Sequence, residues 1–287
     1  MPELPEVEAL AAFVTERAGG REVVRCELAA ISALKTVVPP LEELVGATVE
    51  RCERRGKFLC TRFGTGDWLV VHLARGGWLK WWDRLPEARA RLTRSPIALR
   101  VGLDDGSGFD LTEMGTEKRL AIYVVTDPTE VAGVATLGVD PLDPAFDAGC
   151  LARLAAEEAG TVKTMLSAQS VIAGVGNAYS DEALHLARLS PFKRAASLSP
   201  AEVERLHDAL VTVLAEAVER AVGSAAKDLK PEKHRTMRVH GRTGERCPAC
   251  GDVVREVSFA TRSLQYCATC QTDGKPLADR RLSRLLK

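Results

Sequence analysis

Apolar residues at Val7, Leu10, Ala11 and Val14 recur at i, i+3, i+4 and i+7, which predicts an amphipathic helix closed by Gly19-Gly20. Downstream the period shortens. Residues 67–73 form an apolar run of strand length, and residues 96–103 alternate. Asp104-Asp105-Gly106-Ser107-Gly108 then turns the chain back into Phe109-Asp110-Leu111, a hairpin signature. Residues 120–125 read as one more strand. Several short strands with turns between them, up to about residue 135, predict a sandwich or barrel capped by the first helix.

The stretch 137–144, with two prolines, a glycine and little periodicity, reads as a linker. Beyond it the helical period returns until about Gly223. Ser199-Pro200-Ala201-Glu202 is a capping box with proline at the first helical position, and Val203, Leu206, Leu210 and Leu214 follow on one face. The expected class is α+β, divided at residues 1–135, 136–225 and 226–287.

Composition changes this picture little. The 287 residues are 46% hydrophobic and 27% charged, ordinary values for a chain of about two domains. No apolar run approaches the ~20 residues that span a bilayer. No basic segment precedes an apolar one at the start, so a cytoplasmic protein is expected. The net charge of +0 hides an asymmetry: residues 226–287 carry 14 Lys/Arg against 7 Asp/Glu, a local net of +7. Such a segment suits a phosphate partner, or is a solvated tail.

Of eight cysteines, Cys26, Cys52, Cys60 and Cys150 lie among apolar neighbours and read as buried thiols. The other four are patterned: Cys247-Pro-Ala-Cys250, sixteen residues, then Cys267-Ala-Thr-Cys270. Two such knuckles can surround one zinc ion tetrahedrally, with the intervening chain as a hairpin and Arg262 near its tip. A redox pair would not need the second knuckle. With all four positions filled by protein, the metal would be structural.

The first residues carry a different chemistry. Removal of Met1 would make Pro2 a chain-terminal secondary amine, and α-amino groups titrate at roughly 7.7–8.0, so part is neutral near pH 7. Such an amine can attack a sugar or carbonyl carbon and form an iminium, with Glu3 available for proton transfer. The bland alternative is that Pro2 and Pro5 merely open a helix. Around Gly174-Val175-Gly176-Asn177 the sequence reads as helix, glycine turn, helix, with Asn177 expected to cap the second helix and favour an anion there. A packed αα-corner is the alternative. Lys57, after Arg54-Arg55-Gly56, reads by itself as a surface lysine.

Together these stretches resemble the formamidopyrimidine-DNA glycosylase / endonuclease VIII family. The resemblance rests on Pro-Glu-Leu-Pro-Glu-Val-Glu at the start, Arg-Arg-Gly-Lys at 54–57, His72-Leu73, the Gly174–Asn177 turn and the terminal four cysteines. It implies an N-terminal catalytic β-sandwich with a leading helix, a helix–two-turn–helix domain and a C-terminal zinc finger. It also implies a monomeric bifunctional glycosylase and abasic-site lyase acting on double-stranded damaged DNA, associated with the nucleoid. Pro2, Glu3 and Lys57 would be catalytic. Lys57, His72, Lys163, Asn177 and Arg262 would contact phosphates, and one Zn²⁺ would be held by Cys247, Cys250, Cys267 and Cys270. Lys163 enters because Val162-Lys163-Thr164 precedes the turn at the family's spacing. A non-catalytic damage sensor, or a lyase without glycosylase activity, are the other readings.

The chain departs from the family in three places. Arg75 stands in His72-Leu73-Ala74-Arg75-Gly76-Gly77, where the family usually has a methionine. The stretch 111–119 lacks the intercalating phenylalanine and its arginine partner. Arg75 by stacking, or Met114 as an apolar wedge, would then fill the gap left by a flipped base; for Met114, packing beneath a loop is the alternative. The segment 227–237 is short and charged where a longer loop usually covers the damaged purine. Oxidised pyrimidines and further-oxidised guanines therefore fit at least as well as 8-oxoguanine.

Overall fold

The computed structural model describes residues 1–88, 90, 95–259 and 262–278. Their contacts divide the chain into two units, Met1–Leu137 with Val218–Lys230, and Gly138–Ala217 with Pro231–Lys287. The first unit begins with helix α1 (Leu4–Ala18) and continues through strands β1 (Val23–Leu28), β2 (Val49–Arg55), β3 (Phe58–Phe63) and β4 (Trp68–His72). Strands β5 (Gly77–Trp82), β6 (Ile97–Leu103), β7 (Gly108–Glu113) and β8 (Ala121–Val125) follow, then the short helix α2 (Ala132–Ala135). The strands make two four-stranded antiparallel sheets, ordered β1-β6-β7-β5 and β2-β3-β4-β8. The architecture is thus a sandwich rather than a barrel.

The apolar face of α1 (Val7, Leu10, Ala11, Val14) shares one core with Leu59, Leu69, Val71, Leu79, Leu99, Leu111 and Ile122 from both sheets. Each fully buried leucine or valine contributes roughly 1.5–3 kcal/mol. Strand β4 is apolar on both faces for a reason. Leu69 and Val71 point into that core, whereas Trp68 and Val70 join Cys60, Val125, Val131 and Val134 in a second cluster. The expected hairpin is the β6–β7 pair, in register from Ile97↔Thr112 to Gly102↔Gly108.

The second unit holds α3 (Ala148–Glu157), α4 (Val162–Ser167), α5 (Asn177–Leu186) and most of α6 (Pro200–Ala221). After α7 (Leu229–Thr236) it ends in the hairpin β9 (Val254–Ser258) and β10 (Ser263–Cys267) and the short helix α8 (Ala268–Gln271). Asp147 caps α3 through the Cys150 N–H at 2.6 Å, and Glu202 receives the Ser199 N–H at 2.9 Å, closing the box at the start of α6. No helix among the described residues is long and apolar enough to cross a membrane.

Residues 218–230 return to the first unit. Ala221, Ala226 and Leu229 are buried in the sandwich core. The Trp78 indole N–H donates to the Ala226 carbonyl at 3.0 Å, and the Lys230 ammonium lies 4.3 Å from the centre of the same indole.

Candidate functional site

Five of the expected residues gather at one end of the sandwich, because three elements begin or end there. Pro2 and Glu3 are buried at the start of α1, and Met1 ahead of them is 49% exposed. A capping box fixes this turn: the Glu3 carboxylate accepts the Glu6 N–H, and the Glu6 carboxylate accepts the Glu3 N–H at 2.8 Å. Helix dipole and cap together hold negative charge where backbone N–H groups point out of the helix. Glu8, one turn on, takes the Arg54 guanidinium at 2.6 Å and ties the end of β2 to α1. Lys57 follows in the β2–β3 turn, where Gly56 has a φ of +57° that an L side chain rarely adopts. Lys57 is only 6% exposed, so it is not the surface lysine its own sequence context suggests.

His72 closes β4 directly opposite Phe58, with the two rings 4.9 Å apart. Its pKa is held below the usual histidine value, first by burial and then by the Lys57 charge. It therefore offers a neutral N–H donor near pH 7 rather than a cation. Arg75 lies in the next turn and is exposed. That turn is tight: the Gly77 N–H donates to the Leu73 carbonyl at 2.9 Å, and Ala74 sits at φ +51°. The loop after β7 runs beside it, since the Met114 N–H donates to the Gly76 carbonyl at 3.0 Å. A Cβ on Gly76 would lie 2.2 Å from the Met114 carbonyl oxygen, so only glycine permits this approach. Buried Glu113 shapes the loop by accepting the N–H groups of Arg119 and Leu120 at 2.6 and 2.9 Å. The outcome for Met114 reverses the bland expectation: its side chain is 67% exposed, not packed beneath a loop.

In the second unit Lys163, Asn177 and Arg262 line one recess of about 130 Å³, with Phe192 and Phe259 as its apolar wall. Arg262 lies over the Phe259 ring at 5.9 Å. Two expectations need correction here. The cap of α5 is Gly176, and Asn177 is the first helical residue; its side-chain amide instead donates to the Ser263 carbonyl of β10 at 2.6 Å. Lys163 is 9% exposed, and its ammonium donates to the Asn177 carbonyl (2.8 Å), Ser180 Oγ (2.8 Å) and Asp181 Oδ1 (2.6 Å). An ammonium has three N–H donors, so this one is committed within the protein and is not offered to a phosphate.

The four patterned cysteines converge, with their sulfur atoms all within 4.8 Å of one another. Cys247 and Cys270 are 3.8 Å apart and Cys250 and Cys267 3.4 Å apart. Zn–S bonds of ~2.3 Å put the sulfurs of a tetrahedron ~3.8 Å apart, so the cluster matches a zinc-finger centre. Sequence reasoning missed the groups behind it. The His185 Nε2 is 3.2 Å from Cys247 Sγ, and Glu182 accepts the backbone N–H groups of Arg238, Val239 and His240 at 2.7–2.9 Å. Their only sequence signal is the i, i+1, i+4 placement of Asp181, Glu182 and His185 on one helix, which reads as a solvated face.

Comparison with known proteins agrees with this geometry. Residues 1–114 match the formamidopyrimidine-DNA glycosylase N-terminal domain, residues 137–228 its H2TH domain, and residues 244–272 the zinc finger found in FPG and IleRS. A formamidopyrimidine-DNA glycosylase of Symbiobacterium thermophilum is 35% identical over 98% of this chain and 93% of its own. A formamidopyrimidine-DNA glycosylase-like protein of Mycobacterium tuberculosis is 58% identical over 53% of this chain and 94% of its own. The crystal structure of the MutM (Fpg) protein from Thermus thermophilus superposes with a TM-score of 0.80 at 31% identity, covering 96% of this chain and all of that one. The Lactococcus lactis enzyme bound to DNA containing an abasic site gives 0.81 at 26% identity over 94% of this chain and 99% of that one. The chain belongs to the formamidopyrimidine-DNA glycosylase family, and so among DNA-repair glycosylases with a zinc finger.

Proposed function

We propose that this protein excises an oxidatively damaged base from double-stranded DNA and then cleaves the strand, with the Pro2 amine as nucleophile. The observation that supports the reading is that the start of α1, with Pro2 and Glu3, is tied through Glu8 and Arg54 to the end of β2, next to the turn where Lys57 acts on His72. While Met1 is present the Pro2 nitrogen is an amide, so the half-exposed methionine must first be removed. The freed amine then lies at the positive end of α1, in the same end of the sandwich as Lys57. Both favour its neutral, nucleophilic form.

Attack on C1′ of a flipped nucleotide forms a C–N bond and breaks the bond to the base, which leaves with a proton. Glu3 transfers the proton that opens the sugar ring, leaving an iminium on Pro2. That cation acidifies the neighbouring C–H, so β-elimination expels the 3′ phosphate and δ-elimination the 5′ phosphate. Lys57 and neutral His72 hold phosphate oxygens near the reacting sugar. Asn177 and Arg262 hold the backbone without reading sequence, and Lys163 keeps Asn177 in place. Exposed Met114, beside Arg75, supplies the side chains that enter the stack when the base leaves it. Cys247, Cys250, Cys267 and Cys270 would hold one structural Zn²⁺, which would stiffen the hairpin that carries Arg262. The protein works as a monomer in the cytoplasm, at the nucleoid.

Borohydride trapping on a duplex with one abasic site tests the mechanism. The processed protein should form a covalent adduct. Binding without an adduct would make it a damage sensor instead, and an adduct with no base released from any defined lesion would make it a lyase alone. The lesion panel should include 8-oxoguanine, formamidopyrimidine, thymine glycol and hydantoins.

A further inference from the structure

Three buried groups on α5 are not used by this chemistry: Asp181, Glu182 and His185, exposed by 1%, 3% and 4%. A carboxylate so far from water persists only with several donors around it. Asp181 has three. Its Oδ1 takes the Lys163 ammonium at 2.6 Å, and its Oδ2 takes His240 Nδ1 at 2.7 Å and the Gln265 backbone N–H at 3.2 Å. These partners belong to α4, to the segment after α7, and to β10 of the cysteine hairpin. One side chain thus joins three pieces of chain that lie 18, 59 and 84 residues away along the sequence.

We propose that Asp181 is a positioning residue for the backbone grip, locking the cysteine hairpin against α5 and so fixing where Arg262 stands relative to Asn177. Gln265 is two residues beyond Ser263, whose carbonyl receives the Asn177 amide, and three beyond Arg262. Seating the Gln265 N–H on Asp181 therefore sets the register in which Asn177 meets the hairpin. The Lys163 ammonium completes the link by holding the Asn177 carbonyl and Asp181 together. Glu182 braces the adjoining segment through its three backbone N–H groups. The two residues offered to DNA are held by an interior network rather than by each other.

This inference rests on the DNA-backbone grip proposed above, and its test reads affinity apart from chemistry. The zinc-loaded, Met1-processed protein and its Asp181→Asn variant are compared on a duplex with one natural abasic site. The variant should keep one zinc per chain and raise the half-saturating concentration about 10-fold or more, while the single-turnover cleavage rate at saturation is unchanged. In an Asn177→Ala background the same substitution should add little, because Asp181 acts through Asn177. A folded, zinc-loaded Asp181→Asn protein with wild-type half-saturation, or fully additive losses in the double variant, would overturn the proposal. Asp181→Asn takes away the carboxylate that faces the buried Lys163 ammonium, so Lys163→Met/Asp181→Asn is the companion, removing both charges. It should fold and still bind weakly, and wild-type affinity in it would also overturn the proposal. A wild-type protein that binds this duplex without cleaving it would defeat the lyase reading and leave this one standing.

Discussion

The two units solve opposite problems. At the end of the sandwich the turn that carries Pro2 is held from close by, Glu3 by Glu6 three residues away. In the second unit Asn177 and the cysteine hairpin are held from afar, by Asp181, Glu182 and a four-cysteine centre that join segments up to 84 residues apart. A reagent that must stay reactive is best placed by its own backbone, which leaves its lone pair uncommitted. A surface that must match a rigid helix of phosphates is best placed by a network with no slack. The first kind of site should therefore fail in rate and the second in affinity.

The largest expected effect is at the N-terminus. An uncleaved extension ahead of Pro2 should abolish borohydride trapping while leaving duplex binding near wild type, and Pro2→Gly should keep some trapping through its primary amine. Equal trapping with and without the extension would remove Pro2 from the mechanism. Next, Cys250→Ser should unfold the cysteine hairpin and remove DNA binding, because metal affinity and folding are coupled there, with structural zinc contributing ~10–16 kcal/mol. Undiminished affinity in a gel-shift assay would dissociate the hairpin from the grip.

A smaller effect is expected for Arg262→Ala. It should weaken binding alike for all sequences and lower the slope of log K against log salt by ~0.9, the signature of one lost phosphate contact. An unchanged slope would assign Arg262 to its aromatic neighbour alone. The smallest effect concerns pH and stability. Burial and Lys57 depress the folded pKa of His72, so the folded chain binds that proton more weakly than the unfolded chain does. Its contribution is present above the ordinary histidine value and is lost as pH falls through it towards the folded one. The urea midpoint should drop between pH 8 and pH 5, less so in His72→Asn; identical profiles would refute the assignment.

Much of the fold was legible because many of its signals are local. The α1 period, the β6–β7 turn and the Ser199–Glu202 box each lie within a short window, and the cysteine spacing encodes its own geometry. What escaped was set by long-range packing. Lys57 looked exposed because nothing nearby in sequence announces that the end of β2 is tied to α1 through Arg54 and Glu8. Asn177 looked like a cap because its type favours caps, but β10 supplies a better acceptor for its amide. Asp181 and Glu182 went unnoticed because their partners lie 18–84 residues away.

The return of residues 218–230 to the sandwich bears on how the protein could be dissected. A fragment cut at the 137/138 joint would lose Ala221, Ala226 and Leu229 from its own interior and the carbonyl that Trp78 uses. Such a piece would have a hole in its floor and an unsatisfied indole beside it. The half bearing Pro2 is therefore not a detachable cassette, and designs that transplant it need the later thirteen residues, 218–230, as well.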